Sequence, residues 1–178
     1  MSFTHLHVRS HYSLLEASCT PKGIAEQAAK YEMPAVALTD NGNMFGAIEF
    51  YFACQKAGVK PIIGMNAYLA PGDRTEKGDG RANHTSLVLL AENFKGYQNL
   101  CKLSSVGYQE GFYYKPRIDY NILEEYSDNV IALSGGMFGD VPNALLNLGQ
   151  DQAYDKIKKL KSIFKDRFYL ELCRVRNA

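Results

Sequence analysis

The chain has 178 residues and a mass of 19.9 kDa, which suits a single domain, because domains commonly run to about 100–200 residues. Hydrophobic residues make up 46% of the chain and charged residues 22%, a balance that allows a packed core and excludes wholesale disorder. The formal net charge of +1 argues against a free-standing nucleic-acid binder, because such proteins are usually strongly basic.

Targeting signals and disulfides are also not expected. No apolar run approaches the roughly 18 residues of a membrane span, and the N-terminal run MSFTHLHVRSHYS has no apolar region of the kind found in secretory signals. The cysteines are widely spaced and form no CxxC pair, so we interpret them as reduced thiols. The sequence therefore predicts a cytoplasmic protein with no membrane partner. The cysteines are Cys19, Cys54, Cys101 and Cys173.

Short apolar runs alternate with stretches of helical spacing along the chain. Thr20 and Pro21 form a helix start, since Thr caps and Pro fits the first turn. Asn43 is placed to cap a helix over 44–57, and Gly58 is placed to end it. Further helices are predicted over 94–106 and from about Val141 and Gln152, and strands are predicted over 3–8, 35–38, 60–68, 86–91, 130–133 and 168–172.

This alternation predicts an α/β fold with parallel strands joined by right-handed crossovers. A doubly wound sheet and a barrel both satisfy the pattern, and in either case the functional loops follow the C-terminal ends of strands. The whole chain, 1–178, is interpreted as one domain. The polar, glycine-rich segment 71–83 is predicted to be an exposed, mobile loop.

Two segments could carry metal chemistry. His5 and His7 lie two apart on a predicted strand, so both imidazoles would share one face. Asp40 and Asn41 follow a buried strand. Each segment also has a structural interpretation: hydrogen-bonded imidazoles at a strand end, and a turn built from Asp, Asn and Gly.

A third segment, 111–119, combines three aromatic residues with Lys115 and Arg117. Such a composition can stack bases and neutralise phosphates. It is equally typical of a packed aromatic loop whose cations reach out to solvent. Lys115 and Arg117 are therefore candidate phosphate contacts, with the packed loop as the alternative.

Taken together, these segments resemble a known family. The runs HLHVRSHYSLLEA, MPAVALTDNGNMFGAIEFY, AGVKPIIGMNAYLAPG, SLVLLAENFKGYQNL, GFYYKPRID and NVIALSGG occur in one consistent order. They resemble the polymerase and histidinol phosphatase (PHP) domain found at the N-terminus of bacterial DNA polymerase III α subunits. The resemblance implies a distorted (β/α)7 TIM-like barrel of the PHP type, truncated at its C-terminal side, in a polypeptide that continues beyond this chain.

Intact members of the family bind up to three divalent metals and hydrolyse phosphoesters. This sequence departs from that pattern: Arg9 and Asn41 replace histidines, Asn66 replaces a glutamate, Ser86 a histidine and Gly136 a cysteine. The family's late Asp-x-His motif is not found in the sequence. The positions of the degenerate site implied by the resemblance are His5, His7, Arg9, Glu16, Asp40, Asn41, Asn66, Ser86 and Gly136.

The substitutions weaken metal binding. An amide oxygen is a poor ligand for zinc, glycine supplies none, and a guanidinium cannot lose its proton. Two unit charges about 4 Å apart interact by roughly 4 kcal/mol at an effective dielectric constant of about 20, and a divalent ion doubles that figure. We therefore expect a site without metal or cofactor, in which Arg9 pairs with Glu16 or Asp40. Zn²⁺ or Mn²⁺ held by His5, His7 and Asp40 is the alternative.

The expected function is that of a non-catalytic PHP domain in DNA replication. The resemblance implies as partners the rest of the polymerase α chain, including its thumb, and a proofreading exonuclease, with DNA reached only through the parent polymerase. The alternative is a metal-dependent 3′–5′ exonuclease or phosphoesterase. Its active residues would be His5, His7, Glu16, Asp40 and His84.

Overall fold

The computed structural model describes residues 3–78 and 84–172. Helices and strands alternate along most of this stretch. In the described residues the strands are β1 (Ala35–Asn41), β2 (Lys60–Leu69), β3 (Thr85–Ala91), β4 (Phe112–Tyr113), β5 (Lys115–Ile118), β6 (Val130–Leu133) and β7 (Phe168–Tyr169). The helices are α1 (Pro21–Lys30), α2 (Ala47–Ala57), α3 (Phe94–Gln109), α4 (Tyr120–Glu125), α5 (Asp140–Asn147) and α6 (Gln150–Phe164).

Strand β2 is the centre of the sheet. Along one edge it pairs in parallel first with β1 and then, near its end, with β5. Along its other edge it pairs with β3, which in turn pairs with β6, and β6 pairs in parallel with β7. The α/β class is therefore confirmed, while the strands described here follow an open path rather than a closed barrel.

The expectation of parallel pairing throughout is wrong for β3. This strand runs antiparallel to both of its neighbours, β2 and β6. The segment between β2 and β3 contains no helix in its described part, and a plain loop can join antiparallel strands, whereas parallel strands require a long crossover. The direction of β3 thus follows from the connection that precedes it.

The predicted strand over 3–8 is also wrong. The segment is extended and lies beside β1, where the Ala37 amide donates to the carbonyl of His5 (2.9 Å) and the Thr39 amide donates to that of Val8 (2.7 Å). No regular strand is assigned to it. At the other end of the described chain, the predicted strand over 168–172 shortens to β7.

The helix boundaries follow local signals. Thr20 Oγ1 accepts a hydrogen bond from the Gly23 amide (3.0 Å) at the start of α1, and Gly58 ends α2 with a left-handed φ of 71°. Asn43 caps a turn rather than the helix itself, because its side chain accepts from the Phe45 amide (3.1 Å) and α2 begins only at Ala47. None of the helices in the described residues is long and apolar enough to cross a membrane.

Successive residues of β3 show how the core divides. Leu87 and Leu89 point into the larger cluster, which α3 and α6 cover with residues such as Leu100 and Leu160. Val88 and Leu90 point to the opposite face, into a smaller cluster. This smaller cluster contains Ala37, Val88, Leu90 and Leu133, with Ile62 and Ile131 only partly buried against it.

The described part of the predicted loop, 71–78, is largely exposed, and it is anchored by ion pairs and hydrogen bonds. The Arg74 guanidinium lies 2.9 Å from Asp119 Oδ2 and also binds Glu110. Burial alone would raise the pKa of Asp119, but hydrogen bonds from the Ile122 amide and from Arg74 lower it below its ordinary value. Residues 79–83 of the predicted loop lie outside the described residues.

We predict that Leu89→Ala destabilises the chain strongly. Leu89 is fully buried in the larger cluster, and truncating such a leucine typically lowers the free energy of unfolding by about 2–5 kcal/mol. The matched control is Leu146→Ala on α5, where the side chain is exposed and the change should stay within about 0.5 kcal/mol. Urea denaturation measures both values, and equal losses would contradict the assigned core.

Candidate functional site

Several of the predicted site residues lie close together near the ends of neighbouring strands. Asp40 and Asn41 close β1, and Asn66 lies opposite Asn41 on β2. Ser86, the second residue of β3, lies opposite Tyr68 of β2. The structure therefore brings these positions to one region of the sheet, which we call the mouth.

The carboxylate of Asp40 is the centre of the mouth. It is buried, and it accepts hydrogen bonds from the Ser10 amide (2.6 Å), the Ser10 hydroxyl (2.8 Å) and the Ser13 hydroxyl (2.7 Å). Three short bonds to one charged group are each stronger than bonds between neutral groups. Asp40 therefore fastens the N-terminal loop to β1. Ser10 and Ser13 were missed from the sequence, where two serines carry no distinctive signal.

A chain of amide hydrogen bonds continues from Asp40 across the mouth. The Ser13 hydroxyl accepts from the backbone amide of Asn41 (3.0 Å). The side chain of Asn66 donates to Asn41 Oδ1 (2.8 Å), and Asn41 Nδ2 donates to the Glu16 carboxylate. The two asparagines that replace family ligands thus bind each other and Glu16. Asn66 Oδ1 is buried and has no partner among the described residues.

Glu16 also lies between two cations. Its carboxylate is 3.8 Å from Arg9 Nη1 and 3.8 Å from Lys115 Nζ. The side chains of Arg9 and Glu16 retain 32% and 40% of their exposure, so each pair contributes only about 0–1 kcal/mol. The structure selects Glu16 rather than Asp40 as the partner of Arg9, at the surface of the mouth.

The two histidines of the first motif do not form a side-by-side pair of free ligands. His7 Nδ1 lies 2.8 Å from Glu171 Oε1, whereas the His5 ring packs edge-on against Phe3, with centroids 4.8 Å apart. The buried atoms His7 Nε2 and Glu171 Oε2 have no hydrogen-bond partner among the described residues. Glu171 could not have been found from the sequence, because 164 positions separate it from His7.

His84 lies beside Tyr68, with ring centroids 4.5 Å apart. Burial, followed by the nearby cations Lys115 and Arg117, lowers the pKa of His84 below its ordinary value of 6.5. Its buried Nδ1 atom lacks a partner in the part of the chain that the structure describes. The imidazole is thus held neutral next to the mouth at neutral pH.

The expectation that Arg117 contacts phosphate is corrected by its burial. Its guanidinium donates to three backbone carbonyls: those of Gly111 (3.2 Å), Arg74 (3.0 Å) and Glu76 (2.7 Å). It therefore holds the 71–78 loop in place. Lys115 remains half-exposed, 3.8 Å from Glu16 Oε1 and above the Tyr68 ring.

At the far side of the mouth, Ser86 and Gly136 take part in backbone packing and do not offer metal ligands. A Cβ atom on Gly135 would lie 2.3 Å from the carbonyl oxygen of Ser86, so only glycine fits there. Gly136 follows with a φ of 60° and begins the short 3₁₀ helix Gly136–Phe138. The close approach of the backbone after β6 to Ser86 of β3 thus explains the glycine at position 135.

The donor set of the mouth is poor in metal ligands. Within residues 3–78 and 84–172, no three His, Cys, Asp or Glu side chains converge in an arrangement that could hold a metal ion. The carboxylate of Asp40 already accepts three hydrogen bonds from serines. What the mouth offers is a network of hydrogen bonds joining the N-terminal loop to β1 and β2.

Comparison with protein families identifies the class of domain. The model of the PHP domain matches residues 5–175, almost the whole chain, so the chain belongs to the PHP domain family. A solved amidohydrolase from Chromobacterium violaceum, with bound sulfate and no metal, superposes with a TM-score of 0.50 at 11% identity, covering 94% of this chain and 84% of that one. At that identity the likeness concerns the fold alone.

Curated relatives narrow the comparison from the domain family to particular proteins. The chain is 46% identical over 174 residues to the DNA polymerase III subunit alpha of Borreliella burgdorferi and 43% identical over 176 residues to that of Chlamydia trachomatis. Each match covers 97% of this chain. The chain spans only 15% and 14% of those two proteins, respectively.

We predict that Asp40→Ala lowers the free energy of unfolding by roughly 3–5 kcal/mol, because it leaves the Ser10 amide and two hydroxyls without their acceptor. Asp40→Asn keeps one acceptor oxygen, so its free energy of unfolding should fall by less, about 1–2 kcal/mol. Asp155→Ala, which breaks an exposed pair with Lys158, is the control and should change stability by at most about 0.5 kcal/mol. Urea denaturation would refute the anchoring role of Asp40 if its alanine variant behaved like the control.

A second prediction concerns pH and His84. Because the pKa of His84 is lowered in the folded chain, the unfolded chain takes up a proton at higher pH, and the free energy of unfolding falls as the pH drops below about 6.5. His84→Gln should therefore lose less stability than the parent between about pH 7 and pH 5. His5→Gln, at an exposed histidine, is the control. Urea titrations at both pH values measure the free energy of unfolding of each variant. Equal losses of stability in the parent and in His84→Gln would contradict the lowered pKa of His84.

Proposed function

We propose that the chain is the N-terminal PHP domain of a DNA polymerase III α subunit and serves DNA replication as a structural part of that polymerase. The observation that carries the proposal is the identity of 41–46% to α subunits such as those of Aquifex aeolicus and Borreliella burgdorferi, over 96–97% of the chain. Nucleotide transfer would belong to the rest of the longer polypeptide. A cytoplasmic location belongs to the same proposal, as does a distorted (β/α)7 barrel completed by that polypeptide.

The chemistry of the mouth supports a domain without hydrolytic activity. Hydrolysis by several metals needs neutral imidazoles and free carboxylates close together. Here the buried carboxylate of Asp40 accepts hydrogen bonds from Ser10 and Ser13, and the side-chain amide of Asn66 donates to that of Asn41. The residues present therefore do not fit the metal cluster that the family implies.

A structural role has its own support in the mouth. The chain of bonds from Asn66 through Asn41 to Glu16 crosses from β2 to the N-terminal loop. Arg9 and Lys115 each lie 3.8 Å from Glu16, and these exposed ion pairs add at most about 1 kcal/mol each to the connection. We propose that the domain held together in this way packs against the polymerase thumb and offers a surface to a proofreading exonuclease.

The proposal is tested by metal content and hydrolysis together. Elemental analysis of the full polymerase chain, with this domain intact, should find no stoichiometric zinc or manganese assigned to the domain. Hydrolysis of a single-stranded primer should not change in the variant Asp40→Asn. Two or more bound ions, with nucleotide release that Asp40→Asn abolishes, would instead establish the metal-dependent 3′–5′ exonuclease.

We further predict that Arg9→His does not create tight zinc binding. The substitution restores one family ligand, but Asn41, Asn66 and Ser86 still stand where the family has other ligands, and three protein ligands is the usual minimum for zinc. Isothermal titration with Zn²⁺ should show no binding tighter than that of Arg9→Gln, which removes the charge and adds no imidazole. Tight binding confined to the histidine variant would show that the site lacks only that one ligand.

A further inference from the structure

A small aromatic pocket lies beside the mouth, between the N-terminal loop, the turn after β1 and the hairpin formed by β4 and β5. Its volume is about 290 Å³, close to the lower end of the roughly 300–1,000 Å³ that is usual for ligand sites. Such a space accommodates one large side chain or one small ring system. The rings that line it come from separate parts of the chain: Tyr12, Phe45, Tyr68, Tyr108, Phe112 and Tyr114.

The polar side chains of the lining already have partners within the chain. The Ser13 hydroxyl accepts from the Asn41 amide (3.0 Å) and donates to the buried carboxylate of the mouth (2.7 Å). Asn43 Nδ2 donates to the carbonyls of Tyr12 (3.2 Å) and Asn41 (3.0 Å), and its Oδ1 atom accepts from a backbone amide. The side-chain amide of Asn41 is bonded at both its oxygen and its nitrogen. These groups are therefore engaged and poorly placed to read the edge of a nucleobase, which favours an apolar or aromatic side chain as the occupant.

Phe45, Tyr108 and Phe112 form a row of rings along one wall. The ring centroids of Phe45 and Tyr108 are 6.0 Å apart, and those of Tyr108 and Phe112 are 6.2 Å apart. Rings at this separation contact each other, so the row leaves no slot into which a base could insert. Phe45 is 64% exposed and Phe112 is 53% exposed. A contiguous exposed aromatic surface is typical of a protein–protein contact, where rings supply a large area at a small cost in side-chain entropy.

Two residues with strained backbones present apolar side chains next to the pocket. Tyr114, in the turn between β4 and β5, has a φ of 59° and is 64% exposed. Leu15 has a φ of 64° and is fully exposed, and its neighbours Leu14 and Glu16 both line the pocket. A left-handed φ is unfavourable for leucine and tyrosine, and such strain is concentrated at sites that bind ligands. The strain and the exposure together mark the rim of the pocket as a binding surface.

One end of the pocket carries a local excess of positive charge. Lys115 lines the pocket and is half-exposed. Lys115 and Arg9 share one carboxylate, that of Glu16, at 3.8 Å each. These exposed pairs are weak, so Lys115 can exchange its partner for a carboxylate brought by a ligand. Glu16 repels such a ligand in turn, and the attraction is therefore local and screened by salt.

We propose that this pocket is a docking site for a separate partner protein, which inserts one aromatic side chain into the pocket and places a carboxylate beside Lys115. Interfaces obtain most of their binding energy from a few such anchors, aromatic ones above all, seated in pockets. The inference rests on the proposed function, in which the domain offers a surface to a partner, and it adds where that partner docks and by which chemistry.

Saturation-transfer NMR on the full polymerase chain tests the ligand class. N-acetyltryptophan supplies a ring and a carboxylate, N-acetyltryptophan amide supplies the ring alone, and 2′-deoxyadenosine 5′-monophosphate is the nucleotide probe. We expect N-acetyltryptophan to bind with a millimolar Kd, at least about threefold tighter than its amide. In Lys115→Gln the acid and the amide should bind alike.

The variant Phe45→Ala removes one wall of the pocket and should raise the Kd of N-acetyltryptophan at least about fivefold. Because Phe45 is exposed, its truncation should leave the fold intact. Phe52→Ala is the control, since it removes a similarly exposed ring that does not line the pocket. Equal binding to the parent and to Phe45→Ala, or no binding, would overturn the proposal, and equal binding of acid and amide to the parent would refute the carboxylate. Nucleotide binding that Phe45→Ala abolishes, without binding of N-acetyltryptophan, would assign the pocket to nucleic acid.

Photo-crosslinking in cells identifies the macromolecule that fills the pocket. The full polymerase carries Tyr114→benzoylphenylalanine at the rim or, as the control, Phe52→benzoylphenylalanine. We expect position 114 to crosslink to a segment of another protein in which an aromatic residue lies within a few positions of Asp or Glu, and we expect Phe45→Ala to suppress this crosslink. Crosslinks confined to the polymerase's own chain or to DNA, or none above those from position 52, would overturn the proposal.

Neither experiment depends on metal content or hydrolysis. Anchor binding in a domain that also holds metal and releases nucleotides would defeat the proposed non-catalytic function and leave the docking site standing. A domain without metal or hydrolysis whose pocket ignores N-acetyltryptophan would defeat the docking site alone.

Discussion

The buried carboxylate of Asp40 is the interaction on which the arrangement of the mouth depends. A charge inside a protein is tolerated only when hydrogen bonds replace the water that it has lost. Asp40 obtains these bonds from Ser10 and Ser13, and the N-terminal loop must therefore fold over the end of β1. The Ser13 hydroxyl then receives the Asn41 amide, so the next residue of the strand is fixed through the same loop.

Amide side chains connect the residues of the mouth by hydrogen bonds. An amide both donates and accepts, and so Asn66, Asn41 and Glu16 can be linked in a row. Carboxylates in the same places would repel one another and would need a cation between them. In this chain the joining charge comes from Arg9 and Lys115 beside Glu16. The hydrogen bonds and ion pairs of the mouth thus connect the N-terminal loop to β1 and β2.

The two faces of the sheet are buried to different extents. On one face, α3 and α6 cover a core of fully buried leucines that includes Leu87, Leu89 and Leu103. On the other face, Ile62 and Ile131 are only partly buried, against a small cluster formed by Ala37, Val88, Leu90 and Leu133.

Features that depend only on neighbouring residues could be predicted from the amino-acid pattern. Thr20 with Pro21, the left-handed Gly58 and the apolar runs of β2, β3 and β6 were all predicted, because capping and side-chain period act over a few residues. The apolar run 35–38 likewise placed Asp40 and Asn41 close to the end of a strand, although β1 extends through both residues to Asn41.

Tertiary structure alone decided the rest. The antiparallel direction of β3 depends on how its loop crosses the sheet, and the burial of Arg117 depends on carbonyls of the 71–78 loop. His7 binds Glu171 from 164 positions away. The partners of a polar or charged side chain are selected by three-dimensional proximity and by the cost of burying it unpaired, and neither quantity is written in the local pattern of the chain.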